Sequence, residues 1–147
     1  MTATVSTADS THRLVVSTGT ALRVGAVAAL LAATANVLIS LLARGPLDAG
    51  DDFVPLTPGP VVLWTALGAL IGAVGWRTIV VRSTHSRALL TRLIPTILVL
   101  SLVPDVALLI SDSLPGQTPV GVVALMVMHI VTAGIAVTAY DRTMPAG

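Results

Sequence analysis

The chain has 147 residues, 54% of them hydrophobic, and a mean hydropathy of +0.94. Only 10% are charged, against about 25% in a soluble domain, so lipid is the better solvent for its surface. A net charge of +1 without clustered arginines and aromatics excludes nucleic acid, and the absence of cysteine excludes disulfides, thiolate metal sites and iron–sulfur clusters.

Residues 1–20 are rich in Thr and Ser and carry no hydrophobic period, so they are expected to form a flexible cytoplasmic tail. A membrane domain is expected over 21–141. Its four apolar runs, at about 24–42, 61–81, 93–110 and 119–140, each approach the roughly 20 residues that a spanning helix needs. The fold class is therefore all-α, an integral membrane four-helix bundle. The first run is longer than the apolar core of a signal peptide, and Leu41 fits poorly two residues before a cleavage at Ala43. The two halves of the chain do not resemble each other, which disfavours a transporter built from inverted repeats.

Arginine sets the expected orientation. Arg13 and Arg23 precede the first helix, Arg77, Arg82, Arg87 and Arg92 surround the second connection, and Arg142 follows the fourth helix. Only Arg44 falls at the other end, with Asp48, Asp51, Asp52 and Asp112. Arginine marks the cytoplasmic side, so both termini are expected there. The expected location is the plasma membrane, with multiple passes. Every fixed charge is Arg or Asp, a usage associated with GC-rich bacterial genomes. Trp64, Trp76 and Tyr140 lie near helix ends, where amphipathic rings favour the interface. Arg77 is placed to snorkel toward the headgroups.

Helices associate in lipid through small residues at spacings of three and four. Gly25, Ala29 and Ala33 form such a stripe on the first helix, continued by Asn36 and Ser40. Gly68, Gly72 and Gly75, with Thr65, form one on the second. Packing within the bundle is the favoured reading for both, with a homodimer face as the other.

The outer connection, residues 45–60, holds three aspartates and Pro46, Pro55, Pro58 and Pro60. Proline stiffening predicts an ordered cap, and Arg44 is expected to pair with one of the aspartates. A solvated acidic face is the default reading of that cluster.

Intramembrane polar residues are costly and therefore informative. The third helix places Ser101, Asp105 and Asp112 on one stripe. Pro104 removes a helix hydrogen bond and frees the Leu100 carbonyl, and Ser101 is expected to help satisfy that turn. Asn36 lies at a depth similar to Asp105, which predicts a hydrogen bond between them. His129 sits near the bilayer midplane on the fourth helix, with Met126 on the same face and Met128 elsewhere. A neutral histidine hydrogen-bonded within the bundle is expected; Asp105 lies close enough in depth for a water-bridged contact, which would resemble a minimal proton relay. Asn36, Ser101, Asp105 and His129 are thus the candidate intramembrane polar site; a polar staple holding the bundle together is the favoured reading, and a proton, ion or ligand site is the alternative. Met126 and His129 are weak metal candidates, because a haem needs a second buried ligand that one helix does not supply. No cofactor is expected.

The Pro-Asp step in SLVPDVALL (residues 101–109), the Met-His pair in ALMVMHIVTAGIAV (residues 124–137), the long outer loop and the overall length carry a resemblance. The chain resembles the small four-helix membrane proteins of actinobacteria grouped as domain-of-unknown-function family 6069. The resemblance implies an integral membrane location and no assigned activity, and it brings no catalytic residues.

No Ser/His/Asp set, HExxH or phosphate-cradling loop appears, so an enzyme is not expected. The expected function is interaction with protein or lipid inside the bilayer. The partners would be membrane lipid and either a second copy or another membrane protein. The alternative is a small proton- or ion-coupled transporter component using Asp105 and His129.

Overall fold

The computed structural model describes residues 16–111 and 113–147. Most of the tail reading and Asp112 therefore lie outside the described residues. Four helices carry the fold: α1 Thr18–Arg44, α2 Pro58–Arg82, α3 Ser86–Ile110 and α4 Pro119–Thr143. All four are long and apolar enough to cross a membrane. At 1.5 Å per residue α1 reaches about 40 Å, beyond the roughly 30 Å hydrocarbon layer.

The helix ends correct the expected bounds. Ser17 caps α1 by accepting from the Thr20 amide at 3.0 Å, so Thr18–Thr20 belong to the helix rather than to a tail. α3 begins at Ser86 rather than residue 93, because its first two turns are helical despite their arginines. Prolines open α2 and α4 where a missing N–H has no cost, and Thr118 caps α4 through the Gly121 amide.

α1 packs closely on α2 and α4, and α4 also carries α3. α2 meets α3 and α4 less closely, which leaves α1 and α3 diagonal and barely touching. The α1 stripe of Gly25, Ala29, Ala33, Asn36 and Ser40 is buried, together with Ala21, Ala28 and Ala32. A Cβ on Gly25 would lie 2.9 Å from the Ala73 Cβ, so glycine sets the approach of α1 to α2.

The α2 stripe is not the one expected. Thr65, Ala69, Ala73 and Trp76 face the bundle. Gly68 and Gly75 are exposed, and a Cβ on either would meet nothing within 4 Å. Gly72 lies between the two faces, and a Cβ added there would lie 3.3 Å from the Tyr140 hydroxyl. The favoured reading, packing within the bundle, therefore fails at Gly68 and Gly75, because residue spacing does not give the rotation of a helix. α3 is the most exposed helix, with only Ser86, Leu90 and Asp105 buried.

The connection after α1 is an ordered cap. Phe53, Leu56 and Ala49 are fully buried in it. Phe53 inserts against Gly121, where a Cβ would come within 3.0 Å of the ring. Ser40 donates to the Leu56 carbonyl, and Thr118 donates to that of Ala49 at 2.8 Å. Gly50 at φ 88° faces the Gly116 carbonyl so closely that a side chain would collide with it, which makes glycine obligatory there. Arg44 reaches Asp51 at 3.7 Å, a pair worth little because Asp51 is exposed.

At the arginine-rich end, Trp76 and Tyr140 are buried rather than interfacial, in an edge-to-face pair with centroids 5.7 Å apart. Trp76 donates to the Met144 carbonyl at 2.8 Å, and Tyr140 donates to that of Ala69. Both rings thus join α2 to α4 instead of anchoring headgroups. Arg77 donates to Val16, and the last residues return to Ser86 and Arg87 at the start of α3.

Candidate functional site

Each helix contributes one polar residue or more to the bundle interior: Asn36 from α1, Thr65 from α2, Asp105 from α3, and His129 with Thr132 from α4. They divide into two groups.

The first is centred on Asn36, which is 1% exposed. Its amide donates to the Thr65 hydroxyl at 2.9 Å and to the Thr132 hydroxyl at 2.8 Å. Both N–H bonds are used, and three helices are tied at one level. Oδ1 of Asn36 has no partner.

The second group is Asp105 and His129. The Asp105 side chain is 7% exposed, and its Oδ2 lies 3.2 Å from His129 Nδ1. The expected bond between Asn36 and Asp105 does not form. Equal depth is not enough when the two helices are diagonal and α4 stands beside both. Direct contact takes the place of the water bridge. Nδ1 also lies 3.0 Å from the Leu125 carbonyl, one turn earlier on α4. The approach to Asp105 falls outside hydrogen-bond geometry, and Oδ2 is left without a bond. A buried carboxylate beside one ring nitrogen, itself shared with a carbonyl, is poorly satisfied.

Ser101 does not join the site. It donates to the Leu98 carbonyl of its own helix at 2.7 Å, and not to the carbonyl freed by Pro104. Met128 is buried, Met126 is half-buried, and neither belongs to the polar groups. Thr132 had no signal of its own in the sequence, although it follows His129 by three positions on the same face. Phe53 was missed as well: it is the only phenylalanine, and a single aromatic in a proline-rich loop has no period to mark it.

The pair brings a buried carboxylate within 3.2 Å of an imidazole nitrogen, on a ring whose side chain is 40% exposed. The two hydroxyls and the amide of the first group supply orientation and cohesion, with no titratable atom.

A family model described as "Family of unknown function (DUF6069)" matches residues 16–146. The chain belongs to that family. No curated protein matches it, and no solved structure does.

Proposed function

We propose that this member of a family of unknown function acts by lateral association inside the bilayer, as a multi-pass protein of the plasma membrane. Its arginine-rich connection and both ends would face the cytoplasm. The partner would be lipid, a second copy or another membrane protein, and the chain would perform no catalysis of its own. One observation carries this reading. On the outer face of α2, Gly68 leaves a gap among the exposed side chains of Trp64, Leu67 and Ile71, and Gly75 leaves another beyond Ile71 and Val74. Larger residues would serve a face that met only lipid tails. Glycine lets a second helix approach closely.

Native mass spectrometry from lipid nanodiscs tests it. The parent should carry a bound copy or partner, and Gly68→Leu with Gly75→Leu should release it with the fold intact. An unchanged mass distribution would refute the reading. Gly72→Leu is the poorer probe, because Gly72 packs on Tyr140.

A second reading, a small proton- or ion-coupled transporter component, draws support from the contact of Asp105 with His129. It requires a proton flux in reconstituted vesicles that Asp105→Asn abolishes.

A further inference from the structure

We propose that the corner where α2 turns into α3 binds an anionic phospholipid, with Arg82 and Arg92 at its phosphate and its alkyl chains along the outward face of α3. The first support is charge. Arg23, Arg77, Arg82, Arg87, Arg92 and Arg142 lie toward one end of the bundle, and Asp141 is the aspartate found there among the described residues. At the corner, Arg82 closes α2, and Arg87 and Arg92 follow in the first two turns of α3.

These arginines are not engaged equally. Arg77 donates to the Val16 carbonyl at 2.9 Å, and Arg87 to that of Ala146 at 3.4 Å. The Arg82 and Arg92 side chains are exposed, and among the described residues no hydrogen bond or ion pair engages either guanidinium.

Depth makes an unpaired charge costly at Arg92. The 25 residues of α3 extend about 37 Å. A hydrocarbon layer of about 30 Å centred on the helix leaves about 4 Å free at each end. Arg92 follows Ser86 by about 9 Å, which puts its backbone about 5 Å below that boundary. Its guanidinium must rise to the level of the phosphates or draw a phosphate to itself. A phosphate accepts from the planar guanidinium in a bidentate pair and supplies the missing negative charge. A zwitterionic headgroup brings its own cation, which two arginines repel.

The apolar part of a lipid is matched as well. α3 buries only Ser86, Leu90 and Asp105. Below Arg92, the residues Thr96, Val99, Val103 and Val106 are exposed at helical spacing, so they continue its face into the hydrocarbon.

The inference rests on the membrane setting of the proposed function and deepens it by naming a lipid at a face other than the α2 glycines. Native mass spectrometry from nanodiscs of mixed phosphatidylglycerol and phosphatidylcholine tests it. The parent should retain phosphatidylglycerol in preference to phosphatidylcholine. Arg82→Gln and Arg92→Gln should each lower that retention about fivefold. Arg23→Gln removes the same charge from the same end, but from α1, diagonal to α3, and should retain lipid as the parent does. Thermal scans in detergent should show all three variants folded. A parent without headgroup preference, undiminished retention in both corner variants, or an equal loss in Arg23→Gln would overturn the inference. Should a corner variant not fold, the parent's preference and its comparison with Arg23→Gln still decide. The α2 reading fails separately, by an unchanged protein mass in the glycine variants.

Discussion

At the scale of single residues, cost in hydrocarbon was the most useful guide. Asn36, Asp105 and His129 stood out in the sequence because each must be satisfied within the membrane; the first two are buried, and His129 lies half-buried beside Asp105. Their partners were less legible. Depth follows from counting 1.5 Å per residue, whereas pairing needs the rotation of each helix, which the count does not give. Asn36 accordingly bonds to Thr65 and Thr132 instead of Asp105. Interhelical hydrogen bonds in lipid average about 0.6 kcal/mol, so Asn36→Leu should lower stability by about 1 kcal/mol, measured by unfolding in mixed micelles. Thr132→Val should lower it by about half as much, since it removes one of the two bonds.

At the scale of elements, the small-residue pattern matches the buried face of α1 but not that of α2. On α1 the stripe and the buried face coincide, because α1 packs against two neighbours. On α2 the alanines turn inward and the glycines outward, and both patterns recur at the same helical spacing. Gly25→Leu should therefore separate α1 from α2 and destabilise the bundle, whereas Gly68→Leu should leave the monomer fold unchanged. Parallel thermal scans of the two variants in detergent distinguish them. The cap was readable as ordered from its prolines, yet its centre is Phe53, which no pattern announced. Phe53→Ala should cost about 3 kcal/mol by opening a cavity against Gly121 and Leu56, with protease access to the loop as the readout.

At the scale of the molecule, hydropathy and length were sufficient for the class of fold. Four apolar runs became four helices, and the bilayer leaves few other structures open to them. Which helices become neighbours was not legible, because apolar side chains pack on lipid and on each other with similar free energy. α3 illustrates this. It has the same high mean hydropathy as α4, 2.4, yet it buries far less of its surface within the bundle. What holds it is local: Asp105 beside His129, Leu90 in the core, and the return of the chain's last residues to Ser86.

A four-helix membrane bundle requires the chain to cross a bilayer four times. The absence of cysteine makes single-site labelling direct. Asp51→Cys in the cap and His85→Cys between α2 and α3 should react with a membrane-impermeant maleimide from opposite faces, His85→Cys from the cytoplasmic side. Labelling of both from one face, or extraction of the intact protein by buffer alone, would contradict it.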